Sequence, residues 1–600
     1  MSDVELNESE AEVVGRALIA IVDIGSNGIR FSISSKAPHH LRIMPCVFKD
    51  RVSISLFDAQ LPPDDSLRLP IPDSTIEDVC FAMKRFKLIC DDFGVPPQGV
   101  KVVATEATRE ASNSKEFREA ISKSVGWNVE LLSKEDEGRC GAYGVASSFN
   151  EVSGLFMDVG GGSTQISWIV SKNGEVKISD HPVSLSYGAA ALTYRLKYED
   201  PKIIFNEIKQ AYKLAMKKIE IPNELIEEAE RKGGFDLYTC GGGFRGFGHL
   251  ILAENPTYPI PTIINGYSTS FTEVVSMANY LFLKKDIPLL PNSSKQSDEI
   301  FRVSKRRRAQ LPAVGLLISA AAESLPRIKT VHFSQGGVRE GVLYAMTPSS
   351  VRAEDPLITA SKPYAPLLAN KYLELLRNAL PKSQVPDEVY YSIAPALCDL
   401  AFVHCSYPKE LQPTAALHVA TTGIIAGSHG LSHKVRALIG LACSDRWGFD
   451  LPESEENYAS HLENLVILSE GKILGSKLIY WTKYCGKIMH VICGVHPGGN
   501  IRPGAINFRV VNDDFGKNDT AAGSAFNENP QIRNTNTNAT DEKYLEVMVE
   551  LSPDDIKTSA SVRGRILSLQ KKIKKMNKQH NGKVKIGVEY VHDPNSINLI

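Results

Sequence analysis

Two stretches of the chain share one pattern of apolar and polar positions. Ala17-Leu-Ile-Ala-Ile-Val22 is an apolar run that ends in Asp23-Ile-Gly25-Ser26-Asn27-Gly28, after which apolar residues alternate at Ile29, Phe31 and Ile33. Leu155-Phe-Met157 runs into Asp158-Val-Gly160-Gly161-Gly162-Ser163-Thr164, and alternation resumes at Ile166, Trp168 and Val170. A continuous apolar run reads as a buried strand, strict alternation as a half-buried one, and the glycines between them as a tight connection. Asn173-Gly174 then supplies a two-residue hairpin turn. Taken alone, a triple glycine is as consistent with a plain turn as with a ligand loop. Two strand–Asp-x-Gly–strand units in one chain predict an internally duplicated α/β domain with the loops facing each other.

Between and beyond these units the period changes. Ile76, Val79, Met83, Phe86 and Ile89 recur at helical spacing, Val100–Ala104 and Val129–Leu132 read as strands, and Ser133 with Asp136 and Glu137 reads as a helix start. Tyr238-Thr-Cys240 followed by Gly241-Gly242-Gly243 and then Leu250–Leu252 predicts strand, glycine loop and helix. After Pro348 the pattern turns helical, over Leu357–Leu380, Ile393–Val403 and from Pro413 onward. Tyr544–Leu551 and Lys583–Val591 alternate as strands on either side of a helix carrying Val562, Ile566, Leu569, Ile573 and Met576 on one face. The expected organisation is an acidic tail over 1–15, a first lobe over 16–150 and a second over 151–347. A helical domain over 348–505 and an α+β domain over 506–600 follow. The Asn-, Asp- and Thr-rich insert 513–541 is expected to be disordered.

Composition removes several classes of function. The formal net charge of the 600 residues is −1, so the chain as a whole is no electrostatic binder of nucleic acid. No apolar stretch is long enough to span a bilayer, and the acidic first residues read unlike a signal or transit peptide. Ten cysteines without CxxC pairs indicate neither a zinc ribbon nor a disulfide framework, and reduced thiols fit a cytoplasmic chain, with the nucleus also open.

The candidate chemistry lies at the strand ends. Glycines admit backbone N–H groups close to an anion, Ser163 and Thr164 add hydroxyl donors, and Asp158 could hold Mg²⁺ against phosphate oxygens. Asp23, Gly25, Ser26 and Asn27 repeat that arrangement. Arg109, at the end of Thr105-Glu-Ala-Thr-Arg109, is either a phosphate clamp or an exposed arginine at a helix start. Glu137 is either an acidic first-turn residue complementing the helix dipole or a carboxylate aimed into the cleft. Lys305–Arg308 reads as the polar start of a helix rather than as a localisation signal. No His-Asp dipeptide occurs in the helical stretch after Pro348, so His404, His418, His429 and His433 are read as capped or solvated side chains without a carboxylate partner, and no metal is expected there.

Asp23-Ile-Gly-Ser-Asn27, Ala104-Thr-Glu-Ala-Thr-Arg109, Glu135-Asp-Glu137-Gly-Arg139, Asp158-Val-Gly-Gly-Gly-Ser-Thr164 and Gly336-Gly-Val-Arg-Glu-Gly341 stand in the order seen in the exopolyphosphatase/guanosine-pentaphosphate phosphatase family, which the chain resembles. The resemblance implies a duplicated, two-lobed actin-like ATPase (ribonuclease H-like) core, followed by a degenerate His-Asp-like helical domain. By motif, Glu137 takes the place of the catalytic glutamate that handles the attacking water, Asp158 that of the Mg²⁺-binding aspartate with Asp23 opposite, and Arg109 that of an arginine of the nucleotide or polyphosphate site. Gly241, Gly242 and Gly243 fall where actin-like proteins pack against a nucleoside. Asp136-Glu137-Gly138-Arg139 departs from the usual Glu-Glu-Ala-Arg, keeping the carboxylate but softening the helix. Further stretches, Cys46–Arg51, Met83–Gly94, Leu411–His418 and Cys493–Asn500, resemble a fungal branch of the family that relays mitochondrial status to the nucleus. That likeness implies an ATP- and Mg²⁺-binding regulator whose lobe closure controls binding of a regulatory protein, itself restraining the transcription factors of this retrograde pathway. No direct nucleic-acid or membrane contact is implied, and a homodimer stays open. The alternative is a working phosphohydrolase of polyphosphate or a guanosine polyphosphate, Mg²⁺-dependent if active.

Overall fold

The structure, a computed structural model, describes residues 17–61, 69–284, 288, 299–497, 501, 505–511, 545–551, 560–580, 582 and 584–590. The acidic tail and the insert 513–541 lie outside them.

The first sheet is built from β1 (Leu18–Gly25), β2 (Gly28–Ser35), β3 (Cys46–Val52), β4 (Val100–Ala104) and β5 (Val129–Leu131) in the order β3-β2-β1-β4-β5. β1 pairs antiparallel with β2 and parallel with β4. The second sheet repeats this plan with β6 (Val152–Val159), β7 (Thr164–Lys172), β8 (Glu175–Ile178), β10 (Phe235–Cys240) and β12 (Ile328–Phe333) in the order β8-β7-β6-β10-β12. β9 (Val183–Leu185) joins on β7, and β11 (Tyr267–Ser270) closes the far edge against β12. Three antiparallel strands followed by two parallel crossovers, made twice, are the duplication expected from the two Asp-x-Gly units. The fold class is α/β, as the pattern implied.

Each central strand is covered on both faces, which is why β1 and β6 read as unbroken apolar runs. In the first lobe, α1 (Asp73–Asp92) buries Val79, Met83, Phe86 and Cys90 along one stripe. Phe86 stacks on Phe31 of β2 at 4.5 Å between ring centroids. Burying a side chain of that size contributes roughly 1.5–3 kcal/mol. α2 (Glu106–Arg109) and α3 (Ser114–Val125) follow β4, and α4 (Lys134–Ser147) follows β5. In the second lobe, α5 (Gly241–Glu254) leaves β10, and α6 (Lys305–Ala322) is buried nearly all round from Leu311 to Ala321. α7 (Val338–Met346) lies against α4 so closely that a side chain at Gly341 would strike the Cys140 carbonyl, and one at Gly144 the backbone of Gly337. Helices meet there backbone to backbone.

The expected glycine loop after β10 is absent. Gly241 has φ +87°, a left-handed conformation that turns the chain from strand directly into helix, so the three glycines form the first turn of α5. Gly138, the departure in the Glu137 motif, sits inside α4, where an added methyl group meets only the Pro182 ring at ordinary contact distance, 3.4 Å. Gly138→Ala is expected to stabilise the helix by roughly 0.5–1 kcal/mol, since glycine costs that much in a helix interior. A lowered thermal midpoint in that variant would contradict it.

The chain divides into two compact units, Met1–Ala360 with Gly427–His433, and Ser361–Ala426 with Lys434–Ile600. In the second, the helical stretch after Pro348 is broken over residues 362–368, where Pro363 and Pro366 interrupt the regular helix. α8 (His433–Arg446), α9 (Glu453–Glu470) and α10 (Lys472–Val495) follow, α10 being almost wholly buried from Leu478 on. β13 (Ile506–Val510) pairs antiparallel with β14 (Leu545–Leu551), which pairs parallel with β15 (Val584–Tyr590) across α11 (Ala560–His580). All ten cysteines are free. Among the described residues no helix is long and apolar enough to cross a membrane.

Candidate functional site

The β1–β2 and β6–β7 hairpins meet at an open cleft. Their registers correspond. Asp23 stands opposite Arg30 in the first, Asp158 opposite Gln165 in the second, seven residues on in each case. The loop glycines are required by the opposing lobe. A side chain at Gly161 would strike the Asn27 amide, and one at Gly162 the Glu106 carboxylate, which itself accepts from the Ser26 hydroxyl at 2.9 Å.

Of the residues singled out in the sequence, Asp23, Gly25, Ser26, Asn27, Glu137, Asp158, Gly160, Gly161, Ser163, Gly241, Gly242 and Gly243 line the cleft. Three do not. Gly162 packs on Glu106, and the Thr164 hydroxyl donates to the Tyr187 carbonyl at 2.5 Å. Arg109 is turned to other partners: it donates to the Leu132 carbonyl at 2.8 Å and to Glu137 Oε2 at 3.1 Å. In this arrangement the guanidinium fixes the candidate base instead of facing a phosphate.

Ser133 caps α4 by accepting from the Asp136 N–H, which sets Glu137 in the first turn with its side chain 11 % exposed. Gln165 Nε2 donates to Ser163 Oγ at 2.8 Å and reaches Glu137 Oε1 at 3.4 Å. Burial raises the Glu137 carboxyl, Arg109 offsets part of that, and the balance is about 7. A carboxyl poised there can take a proton from water near neutral pH. Burial likewise raises Asp23 and Asp158; Arg30, 3.1 Å from Asp23, offsets it in part.

The cleft also holds cationic groups that the sequence reading did not assign to the site. Arg30, Arg51, Arg245, Arg307 and Arg339 line it. Burial, then the neighbouring guanidiniums, lowers Arg245 to about 10 and Arg307 to about 9. Glu340 is held down to about 2 by the adjoining Arg339 in spite of its burial. The basic run at 305–308 opens α6, with Arg307 turned into the cleft. Arg306 reaches across to the first lobe, 2.9 Å from Asp58 Oδ2 and 2.5 Å from both Asn27 Oδ1 and Ser55 Oγ. In the second unit, His418 does have a carboxylate partner, contrary to expectation: its Nε2 lies 2.8 Å from Glu455, which comes from a helix 37 residues further on. Among the described residues no three His, Cys, Asp or Glu side chains gather to hold a metal.

Paired buried carboxylates thus face an arginine-lined, glycine-walled cleft. Residues 32–350 match the model of the Ppx/GppA phosphatase family, to which this chain belongs, and residues 355–593 match that of the RTG2 C-terminal domain. The chain is 55% identical over 594 residues to Retrograde regulation protein 2 of Saccharomyces cerevisiae, covering 99% of this chain and 100% of that one. It is 26% identical over 331 residues to the guanosine-5'-triphosphate,3'-diphosphate pyrophosphatase of Pseudoalteromonas translucida, 55% of this chain and 59% of the other. Among solved structures, the Aquifex aeolicus Ppx/GppA family member is similar with a TM-score of 0.41 and 22% identity, covering 55% of this chain and 96% of that one.

Proposed function

We propose that this chain is a nucleotide-gated regulator of mitochondria-to-nucleus signalling, with Mg-ATP bound between the two hairpins and lobe closure controlling a regulatory partner. The observation that carries this reading is the extent of the likeness to Retrograde regulation protein 2, which runs the whole length of the chain, whereas that to the bacterial pyrophosphatase takes in just over half. The partner is a protein that restrains the transcription factors of the retrograde pathway, and the site of action is the cytoplasm.

The donor chemistry fits the cofactors. Mg²⁺ favours hard oxygen ligands and is commonly held by one or two carboxylates together with phosphate oxygens and water. Asp158, with Asp23 opposite, supplies such carboxylates, and at Asp158 burial outweighs the Cys240 hydrogen bond and the charge of Arg30, so a cation there would be favourable. Bound Mg²⁺ would neutralise phosphate charge. Arg245 and Arg307, both lowered by burial and by neighbouring guanidiniums, would be relieved by an anion in the cleft that they line. A ligand shifts the lobe angle only through its differential affinity for the open and closed states, and one touching both hairpins has that property.

A second reading, a phosphohydrolase of polyphosphate or a guanosine polyphosphate, is favoured by one observation: Glu137 near 7, oriented by Arg109 and Gln165 at the cleft wall. Calorimetry with Mg-ATP, run beside phosphate-release assays on ATP and polyphosphate, separates the two. Binding of Mg-ATP with little turnover is expected. Rapid polyphosphate hydrolysis without ATP binding would overturn the regulatory reading.

A further inference from the structure

Long after both sheets are complete, the chain returns to the first unit for one seven-residue stretch, Gly427–His433. Its backbone is tied to both lobes. The His429 N–H donates to the Ile43 carbonyl at 3.2 Å, and Ile43 leads into β3, the edge strand of the first sheet. The His433 N–H donates to the Gly266 carbonyl at 3.0 Å, and Gly266 leads into β11, the edge strand of the second. Side chains reinforce the second tie: His433 Nδ1 lies 2.6 Å from the Tyr258 hydroxyl, and its ring packs against Tyr258 and Tyr267. Leu431 and His433 are buried, and a side chain at Gly430 would strike the Pro356 ring.

We propose that Gly427–His433 is a strap that sets the angle between the two lobes, and that closure of the cleft is passed along it to α8, which begins at His433. Four residue steps separate its two backbone ties, a reach of at most ~14 Å. Backbone hydrogen bonds, unlike contacts through long side chains, have no rotamers with which to follow a moving lobe, and a buried one is costly to leave unmade. A change in lobe angle therefore either breaks a tie or pulls the strap, and α8 is its direct continuation. The first half of the proposal stands on geometry alone; the second rests on the nucleotide-gated reading.

Hydrogen–deuterium exchange on the full chain tests the halves separately. Without nucleotide, His433→Ala and Gly430→Val are expected to speed exchange about tenfold at the β1–β2 and β6–β7 hairpins, far from the substitutions in sequence. Tyr258→Phe, which removes a single hydroxyl and keeps the packing, should do so to a smaller extent. Faster exchange confined to the strap itself, with both hairpins unchanged, overturns the first half. With Mg-ATP, the wild-type protein should change exchange across residues 434–446, and the variants should bind nucleotide without that response. Bound nucleotide with α8 silent in the wild type, or an unaltered response in the variants, overturns the second half. A wild-type protein that binds no Mg-ATP overturns the nucleotide reading and the second half with it, leaving the first arm decisive by itself.

Discussion

Asp158→Ala is expected to weaken Mg-ATP binding by at least ~10²-fold, because loss of an outer-shell partner alone costs 10–100-fold in metal affinity and this residue is the candidate ligand itself. Asp158 closes β6, its Asp23 counterpart is already engaged by Arg30 at 3.1 Å, and Arg30 cannot serve both carboxylates fully. The fold should survive. Burial raises the Asp158 carboxyl above its ordinary 3.8, so the folded state binds a proton that the unfolded state releases. Stability contributed in that way is present at low pH and is lost as pH rises from about 3.8 through the raised folded value. Removing the carboxyl removes that loss, and the thermal midpoint of the variant at neutral pH should equal or exceed that of the wild type. Calorimetry returning an unchanged Mg-ATP affinity in the folded variant would remove Asp158 from the site.

Glu137→Gln separates the regulatory reading from the hydrolytic one. Its effect on ATP affinity should be small, since a carboxylate beside phosphates is repulsive unless water or a cation intervenes. Any phosphate release should fall by ~10² to 10⁴-fold, the range for a positioned general base. In the wild type that release should rise with pH through about 7 as Glu137 loses its proton; in the variant the rise should vanish. If nucleotide occupancy is the signal, Glu137→Gln should still bind ATP and partner, and signalling should persist or become harder to switch off. Pull-down of the partner together with a reporter of retrograde output decides it. Lost output with ATP and partner binding intact would show that turnover matters.

Much of the cleft was legible from local pattern. A hairpin announces itself through an apolar run, a turn and alternation, all within about twenty residues, so the two Asp-x-Gly units could be read and paired. The cationic wall could not. Arg30, Arg51, Arg245, Arg307 and Arg339 come from both lobes, and only the crossover topology brings them together. Arg109 illustrates a different limit. Its place after β4 was evident, but the Leu132 carbonyl that captures it lies just past β5, more than twenty residues later. The expected loop at Gly241–Gly243 failed because one left-handed glycine can replace a whole connection, and sequence marks the glycine without its dihedral angles.

The two hairpins are alike in plan and differ in the residue that faces each aspartate. An equal pair would offer a ligand two opposite orientations of the same depth, and half of all binding events would leave the reactive phosphate at the wrong end. Arg30 in one copy and Gln165 in the other end that equivalence. One aspartate is answered by a positive charge, and the other has beside it a neutral amide that turns toward Ser163 and Glu137. The cleft consequently has a head and a tail, and the exchange of Arg30 for Gln165 is one difference in a doubled fold that would give a ligand its direction.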